Sequence, residues 1–252
     1  MSRRCAIALM MTVLFVSTRA AAQTPEERVA ARDVIAKQGP AVVFVLGTVK
    51  LRVNQGGKDV PTQDQRIQSM VTVLDGTGLG VMSLTAIDPA ELMSAQLSRG
   101  RGAAGAVNVT TETSDLRYRL ADGREVPVKV VLRDKELDLA FLRPVEKPAA
   151  AMSGVDVASA RPAAIDAVIV LQRLPEIAGW QATASIQTVQ AIVDKPRTFY
   201  VLNGTSVGSP VFDTRGRFVG VALRLKNESD PANAPLIVLP ANDIREVAKQ
   251  AN

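Results

Sequence analysis

From residue 41 onward the chain is a succession of short apolar or alternating runs, cut by Gly, Pro, Asp and Asn. Ala41-Val42-Val43-Phe44-Val45-Leu46 reads as a buried strand. Further strands are predicted over 66–74, 79–84, 106–111, 115–120, 125–133, 138–143, 166–172, 182–193, 197–202, 210–213, 217–225 and 235–239. Asp75-Gly76 and Asp122-Gly123 supply hairpin turns, and Thr214-Arg215-Gly216 a longer one. Residues 54–65, polar with Gly56-Gly57 and Pro61, predict a loop. Helical spacing marks the two ends of this β-rich stretch. Thr24-Pro25-Glu26-Glu27 is a capping box with proline in the first turn, and it opens a helix to about Lys37. Ala30, Ala31, Val34 and Ile35 share its apolar face, and Gly39-Pro40 ends it. Ala241 or Asn242 opens a final helix with Ile244, Val247, Ala248 and Ala251 on one face. The Pro/Ala-rich stretch 144–165 divides the strands into two groups. The fold class expected from this pattern is all-β, a barrel or sandwich with a helix at each end.

The segment before the first helix has a different character. Arg3-Arg4 precede the apolar run Cys5–Val16, and Ala20-Ala21-Ala22 follow it. A basic start, an apolar stretch of about a dozen residues and a small-residue site make a secretory signal peptide over 1–22. The run falls short of the roughly 20 apolar residues that a membrane span needs. The expected location is therefore exported, periplasmic or secreted, with no membrane attachment after cleavage. Removal of the leader takes Lys+Arg from 30 to 27 against 25 acids, so the net charge falls from +5 to +2. The basic excess thus rests largely on a discarded segment, and no nucleic-acid partner is expected.

Two absences narrow the chemistry. The chain has no histidine, and its single cysteine is Cys5. Imidazole proton shuttles, His/Cys zinc sites and disulfides in the folded part are excluded. No spaced calcium loop or glycosidase carboxylate pair stands out, so neither metal nor cofactor is expected. Trp180 and Met152 read as core or cleft lining. The glycine-rich 99–105 segment reads as a surface loop.

Two stretches carry a family resemblance. Leu120-Ala121-Asp122-Gly123-Arg124-Glu125-Val126-Pro127-Val128-Lys129-Val130-Val131 runs into Arg133-Asp134-Lys135-Glu136-Leu137-Asp138-Leu139-Ala140-Phe141-Leu142. This resembles the region around the catalytic aspartate of the HtrA/Deg serine proteases. Gly208-Ser209-Pro210-Val211-Phe212-Asp213 and Gly216-Arg217-Phe218-Val219-Gly220-Val221 are similar to the strand pair after their catalytic serine. The resemblance implies a trypsin-like fold of two six-stranded β-barrels. The first barrel would span about 40–143, a connector 144–165, the second barrel 166–240 and a C-terminal helix 241–251, all within a domain covering 23–252. No PDZ domain is expected.

By the same resemblance the machinery would run His, Asp, Ser along the chain. Asp138 matches the aspartate. Thr85, or a near neighbour, falls at the histidine position, and no register can supply the missing ring. Counting back from Pro210 in the Gly-x-Ser-Gly-x-Pro pattern puts Val207 at the nucleophile, Gly208 on its glycine and Thr205 where a glycine belongs. Ser206 could serve only with a one-residue shift. A serine needs a base within reach; Lys50, Lys129 and Lys195 are the candidates for a Ser–Lys variant, and none sits beside a serine in the sequence. Asp138, without an imidazole to orient, needs Ser, Thr or backbone N–H donors, and Thr85 is a natural one.

The expected function is therefore that of a catalytically inactive protease-fold protein acting on a polypeptide or protein partner of the cell envelope, by binding or regulation. A serine endopeptidase using Ser206 is the alternative, and a structural component of an envelope assembly is another. A homo-oligomer is possible under each, since HtrA relatives often form trimers.

Overall fold

The computed structural model describes residues 23–62, 64–99, 107–155, 159–226 and 233–251. The expected leader 1–22 and all of the 99–105 segment beyond Arg99 lie outside the described residues. Helix α1 (Pro25–Gln38) begins as its capping box requires. Thr24 N–H donates to Glu27 Oε2 at 2.8 Å, and Glu27 N–H donates to Thr24 Oγ1 at 3.2 Å. A single 3₁₀ turn over Gly39–Ala41 then turns the chain into the first strand.

The first barrel contains β1 (Val42–Gln55), β2 (Lys58–Val60), β3 (Gln65–Val73), β4 (Gly80–Ser83), β5 (Val107–Arg119), β6 (Glu125–Asp134) and β7 (Leu139–Pro144). Its order is β1-β3-β4-β7-β6-β5, and β5 returns to pair with β1, closing six strands. The second barrel contains β8 (Ala167–Arg173), β9 (Ala182–Val193), β10 (Phe199–Leu202), β11 (Pro210–Asp213), β12 (Phe218–Arg224) and β13 (Leu236–Pro240). It closes in the order β10-β13-β12-β11-β8-β9. The architecture is the expected all-β pair of six-stranded barrels, followed by helix α3 (Ala241–Ala248).

Four elements depart from the sequence pattern. The polar 54–65 segment is not a simple loop: β1 runs on to Gln55 and turns at Gly56-Gly57 into β2, which pairs back on it. Both glycines have positive φ (58° and 80°), the conformation such a turn demands. The strands predicted at 106–111 and 115–120 are one strand, β5, with Asp115 at φ 56° and a register shift opposite Leu46 and Thr48. The polar residues between the two runs belong to a bulge, not a turn. A third helix, α2 (Ala90–Ser98), was not foreseen. Its Ser94 and Ser98 hydroxyls accept the N–H groups of Val109 and Val107, both at 3.0 Å, and so fasten it to the start of β5. The final helix also stops at Ala248, three residues before the predicted end. Ala251 is nevertheless buried, and its carbonyl accepts a bond from Arg143 Nε at 3.0 Å.

Period-two alternation explains the cores. On β7, Ala140 and Leu142 fill the first barrel, while Leu139 and Phe141 face outward into a second cluster. On β8, Val168 and Val170 fill the second barrel, while Ile169 and Leu171 join that same outer cluster. The outer cluster thus lies between the barrels, and Val34 of α1 and Ile244 of α3 complete it. Strands buried on both faces read as unbroken apolar runs, which is why Ala140-Phe141-Leu142 and Val168-Ile169-Val170-Leu171 show no alternation in sequence.

Arg173, at the end of β8, ties the barrels together through backbone. Its guanidinium donates to Val42 O, Trp180 O and Gly39 O, each at 2.7 Å. Burial pulls its pKa below the ordinary arginine value. Trp180 sits at the same junction, edge-on to Phe44 with ring centroids 5.0 Å apart.

Candidate functional site

The register of one strand pair builds the site. Ser83, the last residue of β4, pairs with Leu139, the first of β7. Residue 138 therefore lies beside the turn that follows Ser83, a 3₁₀ turn over Leu84–Ala86. The backbone of Asp138 is in the left-handed region, φ 55°, which aspartate tolerates better than most residues. Leu84 N–H donates to the Asp138 carbonyl at 2.9 Å and holds the two segments together.

The Asp138 side chain is buried at 6% exposure, yet its carboxylate is well supplied with donors. Oδ2 accepts from Ser83 Oγ at 2.5 Å and from Arg224 N–H at 3.3 Å. Oδ1 accepts from Thr85 N–H and Thr85 Oγ1, both at 2.8 Å. Ser83 and Thr85 come from the first barrel and Arg224 from the end of β12 in the second, so the carboxylate sits where the barrels meet. Four donors remove the penalty that an unpartnered buried charge would carry. Thr85 is thus a partner of Asp138, as the donor argument required. Ser83 and Arg224 were missed: a lone hydroxyl in the apolar run Gly80-Val81-Met82-Ser83-Leu84 was the available signal, whereas a backbone N–H leaves none.

Thr205, Ser206, Val207 and Gly208 lie in the loop between β10 and β11. Ser206 is exposed, and its hydroxyl accepts a bond from Gln172 Nε2 at 3.2 Å. An amide is a donor here and not a base, so it does not prepare the oxygen for attack. Gly208 N–H is taken by Ala222 O at 2.7 Å. Gly208 has φ 83°, and a Cβ there would meet Met70 O of β3 at 2.9 Å, so the loop presses against the first barrel at this point. Among the described residues no hydrogen bond joins Ser206 to Asp138. Among the described residues no lysine shares a hydrogen bond with Ser206 either, and Lys195 lines a groove that residues 205–208 do not. Met152 packs against the first-barrel core and Trp180 at the barrel junction, so both are packing residues.

A cleft of about 220 Å³ opens beside the carboxylate, lined by Leu84, Thr85, Asp88, Lys135, Asp138 and Arg224 among others. Residues 205–208 do not line it. Among the described residues no group of His, Cys, Asp or Glu is arranged to hold a metal ion, and no helix is long and apolar enough to cross a membrane.

Residues 97–221 match the trypsin-like peptidase domain family. Solved structures share the chain's fold. The chain superimposes on Deg5 with a TM-score of 0.57 at 17% identity, covering 88% of this chain and 94% of that one. It superimposes on the HtrA-type protease AlgW with a decapeptide at 0.56 and 14% identity, covering 88% and 67%. For AlgW with a tripeptide the score is 0.53 at 14% identity, covering 87% and 62%. The chain therefore spans a little under two thirds of the length of some of these proteases. No curated protein matches the sequence. The fold is that of the trypsin-like proteases of HtrA/Deg type.

Proposed function

We propose that this protein is an exported HtrA-like pseudoprotease, which binds polypeptide at the junction of its barrels without cleaving it. One observation carries the reading: the carboxylate that would orient an imidazole is instead saturated by Ser83, Thr85 and Arg224 N–H, in a chain without histidine. Hydrolysis by a serine requires a proton acceptor at the oxygen. Val207 has no side-chain oxygen to offer, and Ser206 meets an amide donor. Without the triad, the residual acceleration of a protease scaffold is roughly 10³–10⁴-fold over water, far below a working enzyme. Binding needs none of this machinery. An extended segment held by backbone hydrogen bonds and side-chain pockets suits a β-scaffold with a cleft beside Asp138. Export is supported by the basic, apolar and small-residue succession over 1–22.

Three measurements test the proposal. A fluorophosphonate probe should leave the purified protein unlabelled, and a peptide ester should show no turnover that Ser206→Ala abolishes. Stoichiometric labelling of Ser206 would make the protein an endopeptidase instead. Fluorescence anisotropy with unfolded or extended peptides should show saturable binding, and its absence would remove the binding role.

A further inference from the structure

Beyond the Asp138 cleft, and sharing Arg224, Leu225 and Lys226 with it, lies a groove of about 590 Å³. Its floor is apolar. Leu137, Phe199 and Leu225 are only partly buried there, each packed from below on the inter-barrel core. Its rim is cationic: among the described residues, Lys195, Arg197, Arg224 and Lys226 line it against one carboxylate, Glu136. Lys226 Nζ takes that carboxylate at 3.0 Å, and Arg197 reaches Asp243 of α3 at 3.2 Å. Among the described residues the Arg224 guanidinium reaches only a carbonyl, Ala234 O, at 3.5 Å, and Lys195 makes no ion pair. This concentration is local, because the chain beyond the leader carries 27 bases against 25 acids. A solvated cationic face needs no apolar floor, and an apolar pocket needs no ring of cations; the two together match a ligand with both characters.

We infer that this groove takes an apolar polypeptide segment flanked by acidic residues. The inference rests on the peptide-binding reading above and adds to it a preference of charge. Apolar side chains lie on Leu137, Phe199 and Leu225, while flanking carboxylates meet Lys195 and Arg224, the cations that no carboxylate among the described residues engages. The occupant is a polypeptide rather than a lipid because the groove is continuous with the cleft at Asp138, where the end of β12 runs alongside. Charge at an exposed rim acts mainly on selectivity and is screened by salt.

The test uses three fluorescein-labelled, end-capped dodecapeptides with one central Leu/Val/Phe block, flanked by glutamates, glutamines or lysines. At 50 mM salt the glutamate peptide should bind the purified protein at least tenfold more tightly than the lysine peptide, with the glutamine peptide between them. In 0.5 M NaCl the spread should shrink to about twofold, a readout that needs no variant. Lys195→Glu, an exposed substitution, should weaken the glutamate peptide about fivefold and strengthen the lysine peptide. Equal affinity for all three would overturn the charge preference and leave the peptide-binding reading standing. Binding of none would overturn that reading and this inference with it. Anionic phosphatidylglycerol vesicles binding where peptides do not would overturn both, in favour of a lipid surface.

Discussion

A carboxylate that accepts from Ser83, Thr85 and Arg224 is a structural hub, and its removal has a calculable effect. In Asp138→Ala, the Ser83 hydroxyl, with no exposure, and the Thr85 N–H lose their acceptor. Each buried donor left without one costs about 1–3 kcal/mol, so urea unfolding should show a loss of about 2–4 kcal/mol. Ser83→Ala alone should cost about 1 kcal/mol, and adding it to Asp138→Ala should restore part of the loss by removing one stranded hydroxyl. Simple additivity in that cycle would mean that the pair is not coupled. Tyr118 gives a second residue-scale test. It is fully buried, its hydroxyl donates to Leu142 O at 3.1 Å, and burial raises its pKa above the ordinary value near 10. A raised folded-state pKa contributes stability that is complete below the unfolded value and is lost as pH rises beyond it. Tyr118→Phe should therefore be less stable than the parent by about 0.5–1.5 kcal/mol at pH 7, and the gap should narrow above about pH 10. A gap constant from pH 7 to 11, measured by chemical denaturation, would show that Tyr118 does not ionise on unfolding.

At the scale of elements, close approach decides which positions tolerate change. A Cβ on Gly220 of β12 would lie 1.9 Å from Leu239 O across the β12–β13 pair. Gly220→Ala must force those strands apart, and a loss of at least about 3 kcal/mol should follow in thermal or urea unfolding. Gly179 closes the turn before Trp180 at φ 67° but has nothing within 4 Å of a Cβ. Gly179→Ala should cost only the left-handed backbone term, about 1–2 kcal/mol. What the sequence showed at this scale follows the same physics. Capping at Thr24 and Glu27, the Ile244 stripe and the apolar runs of β7, β8 and β12 are local signals, and they were legible. Helix α2 was not, because its apolar positions at 90, 92, 93, 95 and 97 form no clean stripe, and its ties run outside the helix to Val107 and Val109 of β5. The continuity of β5 through Asp115 was hidden for a similar reason: a bulge and a turn use the same residues. Of the site, Asp138 and Thr85 could be paired because the family resemblance put both at triad positions and a buried Asp138 needs donors. Ser83 and the Arg224 N–H become neighbours of Asp138 only through strand register and barrel docking, which no local pattern encodes.

At the scale of the molecule, the layer between the barrels is as apolar as their interiors. Leu139 and Phe141 from one barrel meet Ile169, Leu171, Phe212 and Phe218 from the other, all with no exposure. Either barrel alone would present that face to water, so the two should unfold as one unit. Calorimetry should give a single transition with calorimetric and van't Hoff enthalpies in agreement, and two separable transitions would refute the shared core. Arg173→Lys should lower stability by about 2–4 kcal/mol, since an ammonium cannot serve three carbonyls in the plane of a fork. The position of that fork has a consequence for how the chain reaches its final form. Gly39 and Val42 open one half, while Trp180 belongs to the other, so the guanidinium has its full set of acceptors only after the halves have joined. A chain whose halves have each folded but met in the wrong pose leaves a cation stranded against oil. Arg173 in this way acts as a proofreader of assembly, penalising near-misses that greasy contact alone would accept.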